Sequence, residues 1–153
     1  MEEYKRIMGI GLHGIVASAV ILFVGLWMEN AFNIPKMSSD IVIDYIAILL
    51  VLAGFLIYVV SYTYLPIAKH GKELIQGGLY SYVRHPQYSA IIFFFYPAIA
   101  LFMRSYVLVF STVMIYIVFT LFVMQEEKYM VRLFGKSYLE YIKKIPRFIP
   151  VKR

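Results

Sequence analysis

The chain has 153 residues, of which 61% are hydrophobic and 18% aromatic, and its mean hydropathy is +0.74. That length has room for one domain, and so apolar a composition excludes a soluble globular protein and calls for an integral membrane protein. The formal net charge of +6 would suit a nucleic-acid binder, but in a membrane protein the placement of the charges decides, while the absence of cysteine excludes disulfides and a thiolate metal site.

Met1 to Arg6 is a short charged lead. Residues 9–28 are apolar apart from His13 and Ser18 and are long enough for a spanning helix. The triplet Ala17-Ser18-Ala19 lies inside this run and not after it, so no cleavable signal is expected. Glu29 to Ser39 is a polar link, and Ser38, Ser39 and Asp40 are candidate caps for the second span, 41–65. Asp44 falls in the first turn of that span, where the helix dipole favours a carboxylate, and Pro66 ends or kinks it.

A connector follows over 66–87, with Lys69, His70, Lys72 and Glu73. Two further apolar runs, 88–103 and 106–124, are separated by Arg104-Ser105 and read as a helical hairpin with a kink at Pro97. These make about four transmembrane helices; a three-span arrangement would bury the first arm of the hairpin as a re-entrant segment. In the tail, 125–153, a helix from Glu126 to Phe134 ends at Gly135, and Ser137 can cap a second one that Pro146 stops. Tyr138, Tyr141 and Ile142 fall at helical spacing between lysines, as in an amphipathic segment on a membrane surface. The expected class is an all-α membrane bundle with a cytoplasmic connector and C-terminal amphipathic helices.

Four spans place both termini, the connector and the tail on one side, which then holds all the basic residues except Lys36 and Arg104. The positive-inside rule makes that side cytoplasmic, and contact with anionic lipid accounts for the charge without nucleic acid.

The chain is organised around residues 76–90. Gly77-Gly78 allows a close backbone approach, and Pro86 locks a bend that presents Arg84 and His85 beside the membrane. The same side carries Glu126-Glu127, two adjacent carboxylates that are costly at the end of a span unless paired. Arg84, His85 or a cationic ligand would supply the partner. Each feature has a plain structural reading. Arg84 can snorkel to phosphates, His85 can be a satisfied polar residue, and the glutamates can cap a helix. Tyr80, Tyr82, Tyr88, Tyr138 and Tyr141 can belong to an interfacial belt. His13 reads as a hydrogen-bonding residue within the bundle, and His70 and Arg104 as solvated. In combination these residues would form a pocket with acceptors for a cation, rings for stacking and a guanidinium for an anion. A small zwitterionic cofactor with an aromatic base would suit it, and no metal is called for.

As a set, Gly77-Gly78-Leu79-Tyr80, Arg84-His85-Pro86-Gln87-Tyr88, Glu126-Glu127, Phe134-Gly135 with Tyr138 and Tyr141, and Arg147 to Pro150 resemble the isoprenylcysteine carboxyl methyltransferase and phospholipid methyltransferase superfamily, from about Leu65 to the end. The resemblance implies a membrane-embedded methyltransferase using S-adenosylmethionine, with a cytoplasmic cofactor pocket and a lipid-facing tunnel. It implies that His85 and the backbone around Gly78, Leu79 and Tyr80 hold the adenosine part, with Pro86 shaping the bend. Tyr88 would pack against the cofactor, Glu126 and Glu127 would lie along it, and Arg84 would face a carboxylate acceptor. Arg84 and Glu127 would then be the catalytic pair, Glu127 or Glu126 taking the proton if the acceptor is an amine. Where prenylcysteine enzymes carry a basic residue before the acidic pair, this chain reads Val123-Met124-Gln125, so a second carboxylate anchor is missing or lies elsewhere. A prenylated cysteine carboxylate is the leading acceptor, followed by a phospholipid amine or a small thiol. An NADPH-dependent sterol-type reductase, which shares an Arg-His-Pro stretch, and a non-enzymatic lipid-binding adaptor are the competing readings.

Overall fold

The computed structural model describes residues 2–66 and 72–151, with side chains from Gly11 onward. Among the described residues six α-helices follow in chain order: α1 Glu2–Ala31, α2 Ile41–Tyr64, α3 Pro86–Ala90, α4 Tyr96–Phe102, α5 Tyr106–Phe134 and α6 Lys136–Lys144. A 3-10 turn over Gly78–Ser81 precedes α3, and a π-helical stretch over Ile91–Phe95 joins α3 to α4. The described residues contain no strand, and the expected all-α membrane bundle is borne out. Apolar stretches long enough to cross a bilayer occupy α1, α2 and α5. Phe23, Phe55 and Phe110 on these helices are 71%, 61% and 75% exposed, a surface that suits hydrocarbon and not water.

The run expected as the third span is a shorter element. From Pro86 to Phe102 it is roughly 25 Å long at ~1.5 Å per residue, against ~30 Å of hydrocarbon. Its expected kink takes the form of the π stretch. Pro97 has no N–H and its ring crowds the carbonyl of Phe93, so the chain widens just before it and the Tyr96 N–H reaches back to Ile91 O. The hairpin then turns at Met103 to Ser105, with Arg104 in the left-handed region at φ 55°. Ser105 caps α5 by accepting from the Leu108 N–H at 3.0 Å.

α1 packs chiefly along α5, whereas α2 packs on α3, the π stretch and α4. The core lies where these groups meet, with Ile92, Tyr96, Ile115, Phe119, Val123 and the tail residue Phe148 buried together. The end of the bundle that carries the hairpin turn is closed by ion pairs. Asp40 caps α2 through the Val42 N–H, and Asp44 pairs with Arg104 at 2.7 Å. Arg104 is therefore an ion-pair partner and not the freely solvated cation expected. Glu29, 3% exposed, accepts from Ser105 Oγ and pairs with Lys36 at 3.5 Å. His13 on α1 lies against the Phe122 ring at 6.4 Å. His70 and Lys69 lie outside the described residues.

Two details of the tail differ from expectation. Glu126 to Phe134 is the continuation of α5, because no glycine or proline interrupts the chain before Gly135. Gly135, at φ 57°, ends α5 and begins α6, so Ser137 is inside the helix and does not cap it. α6 stops at Lys144, and Ile145 turns extended before Pro146.

Candidate functional site

At the opposite end of the bundle the connector, the end of α5 and the tail converge. His85 precedes a proline and is held outside the helical region at φ −128°, ψ 65°. Its backbone and that of Arg84 are thereby free to bond elsewhere. Arg84 N donates to Pro146 O at 2.9 Å and His85 N to Arg147 O at 3.1 Å. Ser89 Oγ donates to Phe148 O at 2.8 Å, and the Tyr141 hydroxyl to Tyr80 O at 2.5 Å. Four hydrogen bonds thus fasten the connector and α3 to the tail.

The buried charges add a second fastening. Glu127 is 6% exposed and Arg84 also 6%. Arg84 donates from Nε and Nη2 to Glu127 Oε1 at 2.9 and 2.7 Å, and its Nη1 donates to the carbonyls of Ile142 and Ile145. Arg147 donates from Nη2 to Glu127 Oε2 at 2.7 Å. That hydrogen bond raises the Arg147 guanidinium pKa and keeps the group charged. Glu127 is thus shared by two arginines, the charge-assisted arrangement that a buried carboxylate requires. His85 Nε2 lies 3.3 Å from Glu127 Oε1, off the line of a hydrogen bond, and this buried nitrogen has no hydrogen-bond partner among the described residues.

Glu126 points the other way. It accepts from the Tyr88 hydroxyl through Oε2 at 3.0 Å, and its Oε1 is 3.8 Å from His85 Nδ1. The His85 and Tyr88 rings stack at 5.6 Å with 16° between their planes. This group faces a cavity of about 370 Å³, within the ~300–1,000 Å³ common for small-molecule sites. The connector lines it with Glu73, Tyr80, Arg84, His85 and Gln87, α3 with Tyr88, α5 with Glu126 and Met130, and α6 with Tyr138 and Tyr141. Its apolar wall is Gly11, Leu12 and Ile15 of α1 with Tyr58 and Tyr62 of α2.

Of the residues singled out from sequence, Tyr80, Arg84, His85, Tyr88 and Glu126 therefore meet at the cavity. Glu127 stands behind the wall on the arginines. Pro86 is buried at the start of α3, and Gly78 and Leu79 belong to the 3-10 turn. Gly78 adopts φ 58°, and the group that approaches it is the Tyr64 ring, within 2.5 Å of where a Cβ would stand. Tyr138 and Tyr141, 2% and 4% exposed, turn the apolar face of α6 into the site and not toward lipid. Burial pushes the Tyr80, Tyr138 and Tyr141 hydroxyls up in pKa, so they remain protonated donors. Sequence reasoning passed over the pairing of Arg147 with Glu127. The spacing signals the burial of Glu127 and not its partner: Ile115, Phe119, Val123 and Glu127 recur every four residues on the buried stripe of α5.

Comparison with known proteins gives two likenesses. The sequence model of the family described as phospholipid methyltransferase matches residues 42–137. A protein-S-isoprenylcysteine O-methyltransferase of Schizosaccharomyces pombe (strain 972 / ATCC 24843) is 36% identical over 97 residues, which is 60% of this chain and 39% of that protein. The matched part thus spans well under half the length of that relative. No solved structure is significantly similar.

Proposed function

The chain belongs to the phospholipid methyltransferase family, and from that membership and the geometry of the site we propose that it transfers a methyl group from S-adenosylmethionine to a lipidic acceptor at the membrane boundary. One observation carries the reading. A single cavity is bounded on one side by Glu126, His85 and Tyr88 and on the other by apolar and aromatic side chains of α1 and α2, helices whose outer faces suit lipid. The excess of basic residues at the connector and tail supports a cytoplasmic placement of this end and of both termini, in contact with anionic lipid.

The residues present fit that cofactor. Glu126 Oε1, beyond hydrogen-bond reach of His85, offers an acceptor to a cationic group. The stacked His85 and Tyr88 rings suit an aromatic base, with Tyr80 alongside on the cavity wall. When bound, S-adenosylmethionine would supply an activated methyl for the acceptor's nucleophilic atom, with the neutral thioether as leaving group. The protein's part is alignment and the exclusion of water. Arg84 and Glu127 act in this reading as positioning residues. The Arg84 guanidinium is occupied by Glu127 and two carbonyls, and through them it holds the His85 bend against the tail.

The acceptor we favour is the carboxylate of a prenylated cysteine, the group in the name of the S. pombe relative. A carboxylate is ionised at neutral pH and needs no general base. A phospholipid amine is the second reading, favoured by Glu126 on the cavity wall, where it would accept the proton that an amine must lose.

The test is titration of S-adenosylmethionine, with NADPH in parallel, into lipid-reconstituted protein and its His85→Ala and Glu126→Gln variants, followed by methyl transfer to farnesylcysteine or phosphatidylethanolamine. Saturable S-adenosylmethionine binding weakened in both variants is the expected result, and the acceptor that gains label identifies the substrate class. NADPH binding instead would move the chain to the reductases. Binding of neither would leave a non-enzymatic adaptor.

A further inference from the structure

Gly11 is the point at which α1 touches the polar heart of the cavity. A Cβ built on it would stand 2.7 Å from the Tyr88 hydroxyl oxygen but 3.5 and 3.6 Å from Cζ and Cε1 of the same ring. The conflict is with the hydroxyl alone. That hydroxyl is the group that donates to Glu126 Oε2 at 3.0 Å. The ring is flanked by His85, on which it stacks, and by the Phe119 ring at 5.5 Å. We infer that Gly11 is a positioning residue for the site: its missing side chain leaves the space in which the Tyr88 hydroxyl reaches Glu126 and aims that carboxylate into the cavity. Gly11 lies outside the stretch matched by the family model, so the family likeness does not carry this role.

Two alternatives make opposite predictions. If Gly11 only lowered the rigidity of α1, alanine would stabilise the helix and leave the site unchanged, because alanine is the better helix former. If it only allowed close helix packing, the loss on Gly11→Ala would be the same whether or not Tyr88 carries a hydroxyl. The positioning role requires the loss to vanish when the hydroxyl is removed, since the remaining contacts of 3.5 and 3.6 Å are ordinary van der Waals distances.

The experiment is a double-mutant cycle of Gly11→Ala and Tyr88→Phe, read by S-adenosylmethionine binding and by 19F NMR of protein carrying 3-fluorotyrosine. The Tyr88 resonance is assigned by its loss in Tyr88→Phe. The binding arm rests on the cofactor proposed above; the NMR arm needs no ligand. Gly11→Ala is expected to weaken binding about tenfold, the scale of one hydrogen bond to a charged group. It should add less than about twofold in the Tyr88→Phe background, and should move the Tyr88 resonance toward its position in Glu126→Gln. An equal loss from Gly11→Ala in both backgrounds overturns the inference, as does an unmoved Tyr88 resonance. If the wild type binds no S-adenosylmethionine, the function proposed above fails, and the resonance alone decides for or against Gly11.

Discussion

Glu127→Gln keeps the side-chain volume and removes one buried charge, so its cost isolates the clamp between connector, α5 and tail. Arg84 and Glu127 are 4% and 8% exposed at their side chains, and the substitution leaves the buried guanidinium without its counter-charge. Removing one partner of a buried pair costs about 3–5 kcal/mol. The lower end applies here, because Arg84 Nη1 keeps the carbonyls of Ile142 and Ile145, and Arg147, 27% exposed, can turn toward water. A loss of about 3 kcal/mol lowers the melting temperature of a chain this size by about 6–12 °C. Thermal unfolding of the detergent-solubilised protein reads it. The double variant Arg84→Gln/Glu127→Gln removes both charges and should be less damaging than the sum of the singles by at least about 1 kcal/mol. Singles that melt within about 2 °C of the wild type, with strictly additive effects, would refute the reasoning.

Three further outcomes are expected. Gly54→Ala places a Cβ 2.8 Å from Phe94 Cβ, an atom tied to the backbone of the π stretch, and should destabilise by about 1–3 kcal/mol in denaturant unfolding although alanine favours the helix. Arg104→Gly should be more stable than Arg104→Ala by about 1 kcal/mol. Glycine relieves the positive φ, whereas the lost pair with Asp44, 46% exposed, is screened and worth little in either variant. The raised hydroxyls of Tyr80, Tyr138 and Tyr141 hold their protons more tightly in the folded state than in the unfolded one. Their contribution is fully present below the ordinary tyrosine value of 10.0 and is lost as the pH climbs above it. Each group steepens the fall by up to about 1.4 kcal/mol per pH unit, and Tyr141→Phe should remove its own share when melting is compared at pH ~9 and ~11.

The organising stretch was legible because its punctuation has few physical interpretations. Pro86 forces His85 out of the helix, and residues so released must bond elsewhere, here to Pro146 and Arg147. Asp40 among three candidate caps, Gly135 as a helix end and the turn at Arg104-Ser105 were legible for the same reason. Which glutamate faces the cavity was not read, although neighbours on a helix point about 100° apart. The choice depends on the rotational setting of α5, which the burial of Ile115, Phe119 and Val123 decides. α6 was misjudged on similar grounds. Spacing shows that Tyr138 and Tyr141 share a face but not what covers it, and the rings pack on each other at 5.9 Å inside the site. Arg104 was read as solvated because its partner, Asp44, is distant in sequence.

The stretch that carries the family likeness and the stretch that builds the cavity do not coincide. The family match ends at residue 137, yet the backbone bonds that hold Arg84 and His85 come from Pro146 and Arg147, and the second guanidinium on Glu127 is Arg147. It begins at residue 42, yet one apolar wall is Gly11, Leu12 and Ile15. In the proposed reading the matched residues His85, Tyr88 and Glu126 meet the cofactor, and α1 faces the acceptor's apolar part. The likeness then bears on the methyl donor more strongly than on the acceptor, because the donor's partners lie inside the match and much of the acceptor's wall lies outside it.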